Sequence, residues 1–100
     1  MSRVVDHARR VRAKNAGPFR LTIDLFCDDE RGYEALVRGL SAERVARAFA
    51  TRAEHVRRFE LPELGVLKFS LPRPVVQGAP QDRDMHGAQW AVLVAGLELA

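Results

Sequence analysis

Cysteine, aromatic residues and long apolar runs are all scarce in this sequence. Cys27 is the single cysteine among 100 residues, so neither an internal disulfide bond nor a paired-cysteine metal or redox site can form. The longest apolar run, residues 90–97, is far shorter than the ~20 residues that a membrane-spanning helix needs. The first residues carry charges where a signal peptide would have an apolar segment. We therefore expect a soluble, cytoplasmic protein with no membrane contact.

A strong surplus of one charge is also missing. Sixteen basic and 13 acidic residues leave a formal net charge of +3, and the two signs are interleaved along the chain. A nucleic-acid-binding domain more usually shows a basic stripe with a recognition helix or an aromatic platform, so we do not expect a nucleic-acid partner. The hydrophobic content of 47% suits one domain, residues 1–100, with one modest core.

Hydrophobic periodicity predicts an α+β fold. Residues 3–13 show helical spacing, and Asn15 with Gly17 would end that helix. Residues 19–27 alternate with a period of two, which predicts a strand with one apolar face. Further strands are predicted over 55–61, 65–71 and 97–99, further helices over 33–38, 41–53 and 85–94, and a long loop over 72–84. We expect a two-layer sandwich, ferredoxin-like or related, in which helices cover one face of a mainly antiparallel sheet of three to five strands and strand 19–27 is central.

Polar side chains collect on the face of the predicted sheet that points away from the helices. Alternation places Thr22 and Asp24 on this face of one strand, and Lys68 and Ser70 on this face of another. An exposed Asp24–Lys68 ion pair would explain the two charges and would contribute little stability. A polar pocket, or a face covered by a second protein, would explain them equally well, and both interpretations stay open.

The segment Lys14-Asn15-Ala16-Gly17 is a second candidate for ligand binding. A glycine at the end of a helix lets the backbone approach a ligand, and Lys14 supplies a compact charge suited to a carboxylate or phosphate. Simple helix capping accounts for Asn15 and Gly17 without any ligand. The segment matches neither a P-loop nor a dinucleotide-binding fingerprint.

A third candidate lies between residues 82 and 89. Asp82, Asp84 and His86 alternate in a way that could hold a metal, but no fourth ligand is near in the sequence, so we expect no metal and no other cofactor. We expect Asp84 to cap a helix, and His86 and Gln89 to line a cleft near amide groups that attract anions. His86 and Asp84 are the weak candidates for proton transfer. No nucleophile motif is present, so covalent catalysis is not expected.

Three blocks of the sequence, residues 12–24, 68–74 and 78 with 82–89, together resemble the bacterial and fungal domain-of-unknown-function family 4387. Ala13 stands where the family typically has serine, which removes a hydroxyl group from the first block. The residues of the recurring blocks are Lys14, Asn15, Gly17, Thr22, Asp24, Lys68, Arg73, Asp84, His86 and Gln89. The resemblance implies a companion protein similar to those of acyclic terpene utilisation, whose own C-terminal domain looks ferredoxin-like. It also implies a setting in acyl-CoA or carboxylic-acid breakdown, but no catalytic residue.

Two functional hypotheses follow. The first is a small accessory subunit of a carboxylic-acid or acyl-CoA catabolic complex. The alternative is a small lyase or hydratase, in which Lys14 and Arg73 grip a carboxylate while His86 or Asp84 exchanges protons. A homo-oligomer and a small anionic ligand are compatible with either hypothesis. Both require three groups to converge on one site: Lys14–Asn15, Asp24–Lys68, and Arg73 with Asp84 and His86.

Overall fold

The computed structural model describes residues 2–17, 19–73 and 88–99, and for residues 88 and 89 it describes the backbone alone. Its strands are β1 (Arg10–Asn15), β2 (Arg20–Phe26), β3 (Arg57–Leu61) and β4 (Val66–Pro72). Its helices are α1 (Glu30–Gly39), α2 (Ala42–Ala48) and α3 (Ala88–Ala95), with single 3-10 turns at Val4–Asp6, Ala53–His55 and Pro62–Leu64. No helix within these ranges is both long and apolar enough to cross a bilayer.

The strands form one antiparallel sheet in the order β1-β2-β4-β3. This order confirms the predicted antiparallel α+β sheet and the interior position of β2. The described elements follow one another as β-β-α-α-β-β-α, whereas a ferredoxin-like unit follows β-α-β-β-α-β. The described chain is therefore a two-layer α+β fold with a different order of elements.

All three helices contribute to one hydrophobic core on a single face of the sheet. The sheet side of that core is formed by Leu21, Ile23, Leu25, Leu67, Phe69 and Leu71, and the helix side by Leu36, Val45, Ala46, Phe49 and Val94. Asp24 and Lys68 alternate with these buried residues and lie outside the core, as predicted. The opposite face of the sheet is not covered by any described element.

The helix predicted over residues 3–13 is wrong. Only Val4–Asp6 forms a short 3-10 turn, and residues 10–15 form β1, which pairs with β2. Val11 and Ala13 alternate with Arg10, Arg12 and Lys14, a period-two pattern that lets β1 bury small apolar side chains beside β2. Consequently Asn15 and Gly17 do not end a helix. They lie at the connection of a β-hairpin, where Gly17 adopts a positive φ of 81°.

Local capping explains where the first two helices begin. The Asp29 side chain accepts a hydrogen bond of 2.8 Å from the Gly32 amide, so α1 starts earlier than predicted. The Ser41 hydroxyl accepts one of 3.1 Å from the Arg44 amide, which confirms Ser41 as the cap of α2. This helix ends at Ala48, earlier than predicted, because Ala50 turns the chain with a positive φ of 54°. The last predicted strand is reduced to one bridge between Arg3 and Glu98.

Candidate functional site

The face of the sheet that no described element covers, which we call the open face, carries five of the polar residues identified from the sequence: Lys14, Thr22, Asp24, Lys68 and Ser70. Three rows of residues that run across the strands make up its centre. Arg20 on β2 lies beyond the row that contains Thr22 and Ser70. The rows are Arg10–Phe26–Val66–Leu61, Arg12–Asp24–Lys68–Phe59 and Lys14–Thr22–Ser70–Arg57. Hydrogen-bonded strands therefore place Lys14, Thr22, Asp24 and Lys68 on one continuous surface.

Asp24 lies between two cations in the middle row. It is directly opposite Arg12 on β1 and Lys68 on β4. Of the ion pairs between described residues, none joins Asp24 to either cation within 4.0 Å. Attraction across a solvated surface at such distances contributes well under ~1 kcal/mol to folding. The structure thus places Asp24 beside Lys68, as predicted, but as a loose charge alignment and not as a closed ion pair.

The hydroxyl groups of the third row are held by the protein itself. Thr22 is only 8% exposed, and its hydroxyl donates to the Lys14 carbonyl oxygen at 3.4 Å. The Arg20 guanidinium donates to the Ser70 hydroxyl from Nε at 3.4 Å and from Nη2 at 3.3 Å. Arg20 Nη2 also lies 3.5 Å from the His55 carbonyl oxygen. These contacts fix the floor of the open face and leave the cationic side chains around it solvated.

A shallow depression of about 370 Å³ lies on the β3 side of the open face. Its lining consists of Thr22, Arg57, Phe59, Leu61, Lys68 and Ser70. Phe59 is 43% exposed despite its size, so an aromatic ring stands at the surface beside two cations. The depression is too open to exclude water from a reacting molecule. It suits the surface contact of a partner better than chemistry that needs a dry pocket.

Similar depressions of about 420 and 410 Å³ lie on the helical side, where Arg31 lines both. They hold balanced charges, including an Arg9–Asp28 ion pair of 2.9 Å beside one of them. Balanced, mutually paired charges are typical of an ordinary solvated surface. We therefore take the open face as the candidate site.

Positive charge is concentrated on the open face. Its cations are Arg10, Arg12, Lys14, Arg20, Arg57 and Lys68, and its one carboxylate among the described residues is Asp24. These groups give a surplus of five positive charges, whereas the whole sequence has a surplus of three. The rest of the sequence is therefore net negative by two charges. Such an asymmetry creates a field that attracts an acidic surface.

The expected approach of the first loop to the end of β4 is present on the other face of the sheet. The Arg73 amide donates to the Phe19 carbonyl oxygen at 2.8 Å, and Arg73 Nε donates to Asn15 Oδ1 at 2.6 Å. Arg73 is only 6% exposed. Asn15 and Arg73 thus meet because β2 and β4 are antiparallel neighbours, so that the start of β2 lies beside the end of β4.

The same geometry separates Lys14 from Arg73. Lys14 precedes Asn15 in β1, and successive side chains of a strand point to opposite faces. Lys14 therefore lies on the open face while Arg73 lies on the helix side with Asn15. The expectation that Lys14 and Arg73 share one site is wrong. It assumed that a helix end precedes the loop, where this alternation does not apply.

The structure describes only some of the remaining predicted site residues. Asp82, Asp84 and His86 lie outside the described residues, and Gln89 belongs to α3 with its side chain outside the description. Their binding and proton-transfer roles stay predictions. Gly17 is exposed on the hairpin connection, and a Cβ added there would meet nothing within 4 Å. Elsewhere in the described ranges, no group of three His, Cys, Asp or Glu residues could hold a metal ion.

Two features of the site region were missed from the sequence. Arg57 adds a cation to the open face, and its alternation with Phe59 and Leu61 was a signal that could have shown this. Arg58 points to the helix side, where its guanidinium donates to the carbonyl oxygens of Val37 at 2.6 Å and Leu40 at 3.1 Å. No sequence signal shows that interaction, because it depends on how α1 packs against β4, the strand next to β3.

Cys27 has the environment of an inert thiol. Partial burial, followed by the nearby carboxylates of Asp29 and Asp28, raises the pKa of Cys27 above its ordinary value. A raised pKa keeps the thiol protonated at neutral pH, and the thiolate is the reactive form.

Comparison with known proteins identifies a family for this chain. No curated protein and no solved structure matches the chain. The family model described as a domain of unknown function, DUF4387, matches residues 4–98, which include β1 to β4 and the described helices. Because that match extends over nearly the whole sequence, the chain belongs to the DUF4387 family of domains of unknown function.

Proposed function

We propose that this chain is a small cytoplasmic accessory subunit whose open face binds a larger companion protein. The observation that carries this proposal is the uncovered sheet face with its surplus of positive charge and its exposed Phe59 and Leu61. The resemblance described above supplies the candidate companion, a protein similar to those of acyclic terpene utilisation. The setting would be a catabolic complex that handles carboxylic acids or acyl-CoA thioesters.

The shape of the open face favours a macromolecular partner. A four-stranded sheet with side chains standing on it is a broad and nearly continuous surface, and its depression is shallow. Protein interfaces are commonly built from aromatic and arginine residues near the centre with polar residues around them. Phe59 beside Arg57 and Lys68 has this composition.

The charge of the open face predicts the chemistry of the partner surface. Six cations with a single carboxylate would repel a basic surface and attract an acidic one. Asp24 lies between Arg12 and Lys68 and would favour a partner that presents a cation or hydrogen-bond donor at the centre of its acidic patch. Association of this kind weakens as salt concentration rises.

The alternative is a small lyase or hydratase, and Arg73 is the residue that favours it. A guanidinium only 6% exposed is suited to bidentate recognition of a carboxylate, and Arg73 precedes the segment containing Asp84 and His86. Lys14 has no part in this version, because it lies on the opposite face of the sheet. Turnover of a carboxylic acid or CoA thioester by the purified chain, lost on His86→Ala, would establish this alternative.

The accessory-subunit proposal is tested by co-purification from the native host, followed by binding of the purified companion. Lys68→Glu places a second carboxylate beside Asp24 and should weaken binding at least tenfold, which corresponds to about 1.4 kcal/mol. Arg47→Glu makes the same charge change on the exposed side of α2 and should leave affinity within about twofold. Thermal unfolding of both variants checks that each is folded.

Two outcomes contradict the proposal. One is a chain that elutes alone from the host and does not bind added companion at low salt. The other is equal weakening by Lys68→Glu and Arg47→Glu, which would show that binding follows net charge and not the open face. Calorimetric titration at two salt concentrations distinguishes specific binding from charge attraction in general.

A further inference from the structure

The outer edge of β3 has no strand neighbour among the described residues and carries exposed apolar side chains. In the described sheet β3 pairs only with β4, so its other side has no strand neighbour. Phe59 and Leu61 on β3, and Leu64 just after it, are three of the seven large apolar residues exposed in the described chain. Natural edge strands are usually protected against pairing with another chain. This edge instead carries a pattern that favours one particular partner.

The sequence of β3, Arg57-Arg-Phe-Glu-Leu61, is complementary to itself when two copies run antiparallel. With Phe59 opposite Phe59 of a second copy, Arg58 faces Glu60 of that copy and Glu60 faces its Arg58. The outer positions bring Arg57 opposite Leu61 in both directions. Opposite charges and aromatic pairs directly across two strands are stabilising, whereas like charges are not.

We propose that two copies of this chain pair through β3 around a two-fold axis at Phe59. The axis makes the interface isologous, so the same five residues serve both copies. On the helix side, Arg58 and Glu60 of the two copies would form a group of four charges that alternate in sign across the axis. The two Phe59 rings would meet on the open face.

The charges already present on β3 favour a second copy over an unrelated strand. Arg58 donates to the carbonyl oxygens of Val37 and Leu40 and forms an ion pair with Glu60 of its own strand, and Glu60 is half-exposed. An incoming strand lies beside this pair, and pairing is favoured where that strand offers a carboxylate opposite Arg58 and a cation opposite Glu60, two residues apart. β3 of another copy meets both requirements in one register. Phe19, which is more exposed at 65%, lies on the hairpin connection and offers no such strand.

Pairing through β3 would join two sheets into one of eight strands and place their open faces side by side. The inference shares Phe59 and Leu61 with the proposed function but does not rest on it, because pairing through the β3 edge needs no companion protein. Oligomeric state reports on the pairing, and companion binding reports on the proposed function. Either can fail while the other holds.

The register is tested by cysteine cross-linking in the full chain carrying Cys27→Ser. Residues facing each other across antiparallel strands have Cα atoms about 4.5–5.5 Å apart, within the range of a disulfide bond. Phe59→Cys should therefore form a covalent dimer under mild oxidation, at least about tenfold faster than the Phe19→Cys control, although Phe19 is the more exposed of the two, because pairing raises the local thiol concentration. Leu61→Cys alone should cross-link slowly, because the residue expected opposite it in the second copy is Arg57. An equal mixture of Leu61→Cys and Arg57→Cys should cross-link quickly.

A second measurement avoids cysteine chemistry. Sedimentation of the unmodified chain should show a dimer of the 11.2 kDa subunit. Phe59→Lys and Phe59→Glu should each be monomeric, because like charges meet at the axis, and their equal mixture should dimerise again. A wild-type chain that remains monomeric up to about 1 mM overturns the proposal. Phe59→Cys cross-linking no faster than Phe19→Cys overturns the proposed register.

Discussion

Lys14 and Asn15 are adjacent in β1 and have opposite environments. Lys14 is exposed on the open face, whereas Asn15 turns to the helix side and accepts a hydrogen bond from the nearly buried Arg73. The contrast follows from the alternation of side chains along a strand. It separates a residue that can serve binding from one that serves the fold.

We expect Asn15→Ala to lower the free energy of unfolding by about 1–3 kcal/mol, because it removes a charge-assisted hydrogen bond from a buried guanidinium. Lys14→Ala should change it by no more than about 0.5 kcal/mol, because an exposed side chain contributes little. Urea denaturation of the two variants gives the comparison. Equal losses would show that Lys14 has a structural role, and would argue against its assignment to a binding surface.

At the scale of elements, the N-terminal segment and α1 are in close contact. Gly32 is buried in the first turns of α1, and a Cβ built there would lie 2.7 Å from the His7 carbonyl oxygen. That oxygen belongs to the backbone. The backbone there is already constrained by a hydrogen bond of 2.9 Å, which the Ala8 amide donates to the Val4 carbonyl oxygen. The absence of a side chain at position 32 is therefore a requirement of packing and not only of helix geometry.

Gly32→Ala should accordingly lower stability by about 1–3 kcal/mol, as overpacking does. Helix propensity alone predicts the reverse, a gain of up to about 1 kcal/mol. Arg38→Ala, an exposed change in the same helix, is the control and should stay within about 0.5 kcal/mol. Thermal unfolding distinguishes the two expectations, and a higher melting temperature for Gly32→Ala would show that α1 can move away from the N-terminal segment.

For the molecule as a whole, the distribution of charge matters more than its sum. The open face has a surplus of five positive charges, and the rest of the sequence is net negative. A surface of one sign can bind a charged partner even when the net charge of the protein is small. A dimer paired through β3 would place two such faces next to each other.

Cation-exchange chromatography should reveal this asymmetry. Arg12→Glu with Lys68→Glu, and Arg38→Glu with Arg47→Glu, change the formal net charge from +3 to −1 in the same way. We expect the first pair, on the open face, to abolish retention at pH 7, while the second pair, on the helices, leaves a retained protein. Identical elution of the two double variants would show that net charge decides retention.

Local patterns were sufficient for much of the fold. The period of two in β2 and β4, and the capping residue Ser41 before α2, specify those elements with little outside help. An Asp24–Lys68 ion pair was one of the interpretations that the alternation allowed, and the two residues do lie opposite each other in the antiparallel pair of β2 and β4. These features depend on the spacing of apolar residues within short segments, which the sequence displays directly.

Tertiary structure decided what those patterns left ambiguous. Residues 3–13 fit helical spacing as well as alternation, and pairing with β2 selects the strand because it buries Val11 and Ala13 while satisfying backbone hydrogen bonds. That choice then determines which face holds Lys14 and which holds Asn15. Likewise, Arg58 reaches the carbonyl groups at the end of α1 only because that helix packs against β4, the strand next to β3. The sequence by itself determined the apolar periodicity of the elements; the partners and faces of their polar residues depend on contacts between distant segments, which no local pattern encodes.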